Sequence, residues 1–307
     1  VTAADIDPAD VKQGQRASWD ALSSNWEAAQ ERFELGAAAV TERLLDLGGV
    51  RAGHAVLDVG TGHGEPALTA ARRVGPTGRV TGVDISPSML HLARRRAEGT
   101  PNIEFAEADV ESIDLPAASF DVVVSRWGLM FAVDRVAAFR GLARLLVPGG
   151  VLAAAVWSEA PGAPAISLGF RVLSERLELP PPPPGMPGPF SMADPQRLAA
   201  EVAAAGFTDV AVTEFVARFP FDSVEQCVAF TKAVTPPMLL QKLAERFGSA
   251  DDPGTWRAFA DATEPYRSGG GAFTLPSTAL IIRAVAPARD RARTSTSPAT
   301  RPVRGRR

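Results

Sequence analysis

The stretch VLDVGTGHGEPAL, residues 56–68, constrains this chain more than any other. An apolar run ends in Asp58, and Gly60, Gly62 and Gly64 follow at alternate positions. Glycines so placed let the main chain turn sharply off a strand and approach a ligand with no Cβ in the way. A helical pattern over 65–74 comes next, with Pro66 in its first turn, where a missing N–H costs little. The free N–H groups at such a helix start point back at the loop and favour an anionic group. Strand, glycine loop and helix in that order form the first unit of an open, parallel α/β sheet.

The remaining sequence extends that pattern. Apolar strand segments fall at 55–60, 79–85, 103–110, 120–127 and 151–157. Between them lie a helix opened by Ser86 as N-cap and Pro87 and closed by Gly99, and a second over 134–146 ended by Pro148-Gly149-Gly150. Strands alternating with helices imply a parallel sheet covered on both faces. Residues 8–47 carry apolar side chains at helical spacing and stop at Gly48-Gly49. Past Trp157 the alternation breaks. The proline run 179–190 predicts a stiff, extended connection, either lid or linker. A helix over 194–207 runs from Asp194 to Gly206, a strand covers 209–219, and 222–266 reads as helical with a break at Pro236-Pro237. A last strand covers 273–287, and the tail 288–307, with seven arginines and little apolar content, reads as solvated and disordered.

Composition narrows the class. A chain of 307 residues, 46% hydrophobic, can bury a full core. A net charge of −3 argues against a general nucleic-acid binder. The single cysteine, Cys227, excludes an intramolecular disulfide framework and a Cys-rich zinc site, and reads as a small buried apolar residue. The N-terminal VTAADIDPADVKQGQ is polar and acidic, unlike a signal peptide, and no apolar run reaches the ~18 residues of a membrane span. A cytoplasmic location is the expectation.

Two acids join the loop. Asp84 ends the second strand about 20 residues past the glycines, where such folds place an acid on ribose hydroxyls; the alternative is a turn or cap before Ser86-Pro87. Asp109 ends the third strand, placed to accept from an adenine amino group or to cap a turn. Loops of this kind hold dinucleotides, nucleotide phosphates or S-adenosylmethionine. The dinucleotide pattern can be forced onto Gly62-x-Gly64-x-x-Ala67. A nicotinamide oxidoreductase would also want a catalytic Tyr/Lys or His, yet Tyr266 is the only tyrosine and no lysine stands four residues on.

Residues 50–157 resemble the class I S-adenosylmethionine-dependent methyltransferases, and most of all their ubiquinone/menaquinone-biosynthesis-like C-methyltransferase group (methyltransferase type 11). VLDVGTGHGEPAL, VTGVDISPSML, FAEADVESIDLP, FDVVVSRWGLMF and LLVPGGVLAAAVW look like that family's motifs, in family order. The resemblance implies an α/β, Rossmann-like, doubly wound sheet of seven strands with the last antiparallel, and S-adenosyl-L-methionine as cofactor. It implies that Gly60, Gly62 and Gly64, with Thr61 among them, line the methionine part and that Asp58 orients the loop. Asp84 would take the ribose diol, Ile85 and Met89 would pack on the adenine, and Asp109 would accept from its amino group beside Val110. Ser125 and Arg126 would sit at the methionine end.

Other positions rest on residue type alone. His63 inside the loop is a candidate base or acceptor contact, against a tolerated loop position. Glu65 either complements the helix dipole or binds the cofactor's ammonium. His91 reads as a surface or packing residue, and His54 as facing away from the site. Trp127 walls the transfer site or fills the core, and Trp19 and Trp26, seven apart on one helix face, close a lid or pack the helix down. Candidate catalytic residues are thus His63, Arg126 and Trp127. No metal-ligand spacing such as HxxxH appears, which predicts a metal-independent enzyme driven by proximity. The expected organisation is a helical lid (8–49), the cofactor core (50–157), a segment completing the sheet and capping the acceptor (158–287), and the basic tail. The expected acceptor is small and fairly apolar, of quinone, phenol or natural-product type, with no nucleic-acid partner, no membrane span, and a homodimer left open. The competing reading keeps the cofactor but not methyl transfer, as a cyclase or binding scaffold, because fold does not fix function.

Overall fold

The computed structural model describes residues 7–183, 185–267 and 271–288. A single helix, α1 (Pro8–Leu47), opens the chain. Asp7 caps it, accepting from the Ala9 amide, and Gly48 closes it. At 1.5 Å per residue it is about 60 Å long, longer than the sheet it crosses. Its second half lies on the sheet through Ala37, Val40, Leu44 and Leu45, all fully buried. At Gly36 helix and sheet approach closely: a Cβ there would stand 2.5 Å from the Phe219 ring. The first half continues past the sheet and runs over the strand ends.

Seven strands form one sheet: β1 (Ala55–Val59), β2 (Arg79–Asp84), β3 (Ile103–Glu107), β4 (Phe120–Arg126), β5 (Leu146–Trp157), β6 (Thr208–Phe221) and β7 (Phe273–Val285). Their order is β3-β2-β1-β4-β5-β7-β6. β1 to β5 pair in parallel, and β7 is antiparallel to both β5 and β6. This is the seven-stranded, doubly wound sheet with an antiparallel last strand that the motifs imply. β1 and the Val122–Val124 run of β4 are buried on both faces, as central parallel strands are. The chain order reverses between β1 and β4, so their loops part at the sheet's carboxyl end and leave a crevice.

Helices α2 (Ala67–Val74), α3 (Pro87–Arg96) and α4 (Arg135–Leu145) make the crossovers. Ser86 caps α3, its hydroxyl accepting from the Met89 amide. Several boundaries shift from expectation. The helix expected at 65–74 starts at Ala67, because Glu65-Pro66 still belongs to the loop. β3 stops at Glu107, so Asp109 lies two residues past the strand, in a turn closed by the Ser112 amide on the Asp109 carbonyl. β5 begins at Leu146, not 151: the chain leaves α4 directly into pairing with Phe120, and Pro148-Gly149-Gly150 makes an irregularity inside the strand.

Beyond β5 the structure holds a helix the sequence reading passed over, α5 (Pro164–Leu177). Glu178 ends it in the left-handed conformation, so no glycine marks the stop. α6 (Pro195–Ala204), α7 (Val224–Val234), α8 (Pro237–Phe247) and α9 (Pro253–Thr263) follow, the last three resolving the irregular region 222–266. Asp194 caps α6 as expected. Cys227 is buried in α7, and burial pushes its thiol up to about 12, as suits a packing residue. Apart from Ala288, the expected basic tail lies outside the described residues. No helix among the described residues is long and apolar enough to cross a membrane.

Candidate active site

A cavity of about 410 Å³ opens at the carboxyl ends of β1, β2 and β4, beneath the first half of α1. One side of it is made by the glycine loop. The Gly60 and Thr61 amides both donate to the Val83 carbonyl, tying the loop to β2. Gly60 has φ +68°, and a Cβ on it would lie 2.8 Å from the Gly128 Cα, so the loops after β1 and β4 touch there backbone to backbone. Gly62 has φ +53° and nothing within 4 Å of where its Cβ would be.

Asp58 does not line the cavity. Its Oδ2 accepts from the Thr61 hydroxyl (2.7 Å) and the Ala67 amide (3.0 Å), fixing the loop to the start of α2. Its Oδ1 is buried without a partner among the described residues, and burial pushes the carboxyl up to about 7. Asp84 does face the cavity. Oδ2 accepts from the Gly62 amide (2.8 Å) and Oδ1 from the Ser86 amide (2.9 Å), while burial raises its pKa. Glu65 spends one oxygen on Thr69, amide and hydroxyl, as a local cap for α2.

α1 covers the adenine-facing side and meets the acids there. Lys12 places its ammonium 2.7 Å from Asp109 Oδ2 and 2.8 Å from Glu111 Oε2. Burial works against that charge, but the two carboxylates outweigh it and raise the Lys12 pKa. Arg16 pairs with Glu107 (2.6 Å). Asp20 accepts from the Ser86 hydroxyl and the Ser88 amide, a second cap on α3 supplied from another helix. Ile85, Met89 and Val110 line the cavity; Met89 packs with Leu22 and Leu92 under Trp19 and Trp26. Trp19 meets Phe131 edge to face, and both α1 tryptophans are in the cavity wall.

The opposite side is aromatic. Trp127 leaves β4 with φ +62°, a left-handed backbone uncommon for a bulky residue. Its ring stacks on Trp157 (centroids 4.2 Å apart) and meets Phe33 edge to face. Its indole Nε1 and that of Trp26 are buried with no partner among the described residues. Ile166 and Phe170 of α5, with Val234 and Pro236, complete this chamber.

Between the two sides lies a buried charged network that the sequence did not disclose. Glu34 of α1 takes Arg126 with both oxygens, at 2.5 and 2.8 Å, and the Thr41 hydroxyl takes a further Arg126 N–H at 2.8 Å. Burial opposes the Glu34 charge, but Arg126 outweighs it and holds the carboxyl below its usual range. The guanidinium lies against the Phe33 and Trp127 rings. His63 Nδ1 accepts from Arg96 (2.5 Å), which leaves its proton on Nε2, 3.5 Å from Glu34 Oε1. Burial and then Arg126 push the imidazole down to about 3, so it stays neutral and is poorly placed to act as a base.

Gly60, Thr61, Gly62, His63, Asp84, Ile85, Met89, Asp109, Val110, Arg126 and Trp127 thus all line one cavity. Gly64 does not; its Cβ position points at Leu68 and Ala93, so it packs α2 against α3. Nor does Ser125, whose hydroxyl donates to the Val59 carbonyl inside the sheet, 2.7 Å away. His54 lies outside the cavity and His91 is exposed on α3. Glu34 and Lys12 carried no signal in the sequence, since each is one charge on a long polar helix.

Comparison with known proteins agrees with this geometry. A methyltransferase domain model matches residues 56–150. Over 160 residues the chain is 34% identical to the ubiquinone/menaquinone biosynthesis C-methyltransferase UbiE of Hahella chejuensis, covering 51% of this chain and 64% of that one. Over 111 residues it is 43% identical to the Pseudomonas putida UbiE, covering 35% of this chain and 43% of that one. The chain therefore spans less than two thirds of these relatives' length. Among solved structures, one described as a complex between the Haloferax volcanii Trm112 methyltransferase activator and a candidate methyltransferase aligns at TM-score 0.54 with 22% identity, over 90% of this chain and 98% of that one. YcgJ of Bacillus subtilis aligns at 0.52 with 20% identity, over 80% and 97%. Identities this low speak to the fold alone, whereas the matched motifs speak to the domain. Residues 56–150 match a methyltransferase domain model, and the seven-stranded sheet has the fold of these solved structures.

Proposed function

We propose that this chain binds S-adenosyl-L-methionine at the ends of β1–β3 and transfers its methyl group to a small, flat, fairly apolar acceptor of quinone, phenol or natural-product type. The observation that carries this reading is the single cavity that joins the glycine loop and Asp84 to the Trp127–Trp157 chamber. The residues present fit the cofactor. Gly62 leaves open space beside the loop, and each Asp84 oxygen accepts one amide, keeping capacity for a vicinal diol. Asp84, an acid with no basic partner among the described residues, suits a diol better than a pyrophosphate, while Asp109 and Glu111 are held by Lys12.

Bound S-adenosylmethionine supplies an activated methyl on a sulfonium sulfur. The chain's part is alignment and the exclusion of water. α1 shuts the strand ends with Trp19, Trp26 and Phe33. Trp127 and Trp157, stacked on each other, give the chamber a rigid aromatic wall that suits a flat, apolar ring. His63 holds no exchangeable role near neutral pH. Arg126, oriented by Glu34, places a guanidinium in the cavity wall beside the acceptor, and an acceptor that enters already ionised needs no separate base. The relatives' names make a quinol ring the first acceptor to try.

The test is a methyl-transfer assay with labelled S-adenosylmethionine over quinols, phenols and polyketide-like compounds, read by mass spectrometry. Label on a flat oxygenated ring is expected. Binding of S-adenosylhomocysteine with no label on any acceptor would instead favour the scaffold or cyclase reading.

A further inference from the structure

β6 is the last strand of the sheet, and its outer edge pairs with no strand among the described residues. A long open edge is a template for another strand, and folded chains normally blunt it. Here one end is blunted: Pro220 has no N–H to offer, and its carbonyl accepts from Arg32 of α1. The stretch before it is open. Glu214, Val216 and Arg218 are exposed, and Val216, at 46% exposure, is one of three large apolar side chains exposed among the described residues. The second, Leu35 at 60%, follows Arg32 by three residues on α1, so it lies on the flank of the helix that reaches this edge.

Backbone direction at the edge follows from the ladder. The Thr278 carbonyl accepts from Ser158, so Thr278 turns its polar groups toward the β5 side. Val216 is its partner across β6/β7, which makes that pair non-hydrogen-bonded between these two strands. Val216 therefore turns its own N–H and C=O outward, as do Glu214 and Arg218 in the same phase.

Side-chain charge then selects the partner. Glu214 and Arg218 stand two residues either side of Val216, on one face, with opposite charge. Neither side chain forms an ion pair or side-chain hydrogen bond among the described residues. We infer that this edge is a homodimer interface, in which β6 pairs antiparallel with β6 of a second copy about a twofold axis at Val216. In that register Val216 faces its own copy, and Glu214 faces Arg218 of the partner on both sides of the axis. The outward N–H and C=O groups of the three residues are satisfied in facing pairs, and Leu35 adds apolar contact at the rim. The surface is self-complementary, as a twofold requires, and lies away from the cavity.

Sedimentation velocity on the whole chain tests this with two charge reversals, Glu214→Arg and Arg218→Glu. Wild type is expected to be a dimer. Each reversal alone sets like charges against each other twice and should weaken the dimer at least about tenfold. Mixing the two variants sets every Arg against a Glu, and the heterodimer should form with near wild-type strength. S-adenosylhomocysteine binding by each variant, unchanged from wild type, reports that the fold is intact and is independent of the proposed activity. A monomeric wild type, a dimer indifferent to either reversal, or a mixture that stays monomeric would overturn the assignment.

Discussion

The two halves of the cavity are built differently. The half at β1–β3 is made of backbone amides and short acids, each placed by a turn within a few residues of its strand: Gly62 on Asp84, Ser86 on Asp84, Thr61 on Asp58. The half at β4 and β5 is made of large side chains brought from α1, β4, β5 and α5, and of ion pairs spanning many residues, such as Glu34 with Arg126. The first half is therefore a rigid cradle. α1 lies over the first as a roof, through Lys12, Trp19 and Trp26, whereas it sends Phe33 and Glu34 into the interior of the second, which therefore depends on its place. Under the proposed function, the difference gives the cradle to the cofactor and leaves the choice of acceptor to the aromatic half.

The largest effect that could break this contrast is at Glu34. Glu34→Ala leaves the nearly inaccessible Arg126 guanidinium without its carboxylate, and should cost about 3–5 kcal/mol in urea unfolding. A loss under about 1 kcal/mol would mean that α1 does not anchor the acceptor half. Next comes Gly60→Ala, which places a Cβ on the Gly128 backbone at positive φ. It should destabilise by at least about 3 kcal/mol and abolish cofactor binding. Trp127→Ala should lower methyl transfer by about tenfold or more while S-adenosylhomocysteine affinity, by calorimetry, stays within about threefold; equal losses in both would merge the two halves into one.

Smaller effects sharpen the picture. Lys12→Met frees the outward oxygen of Asp109 and should tighten S-adenosylhomocysteine binding by a few-fold, with a weaker salt dependence than wild type. The pH dependence of stability carries the mark of Asp58. Its folded pKa, about 7, lies above the ordinary 3.8, so the folded state holds the proton more tightly. The contribution is fully present below about pH 4 and is lost as pH rises through about 7. Asp58→Asn should flatten the melting temperature over that window. His63, neutral throughout, should add no imidazole inflection to the rate profile between pH 5 and 8.

Legibility in the sequence follows the same division. The loop, Ser86-Pro87, Asp84 and the five parallel strands could be read because local turn chemistry and apolar runs fix them. Asp109 was placed by spacing, but nothing local told that Lys12 would sit on it from 97 residues away. Ser125 sat in the right motif, yet its hydroxyl turns into the sheet. α5 was missed because a non-glycine residue, Glu178, ends it. Glu34 was invisible because a lone acid on an exposed-looking helix has no pattern; only the tertiary crossing of α1 over β4 gives it meaning.

The central claim is that the cradle at β1–β3 holds S-adenosylmethionine through Asp84. Calorimetric titration of S-adenosylhomocysteine into wild type and Asp84→Ala tests it most directly. The account predicts measurable binding by wild type and a loss of about 100-fold or more in the variant, with removal of the diol's acceptor and of the tie on Gly62. Equal affinity in the two proteins would contradict it.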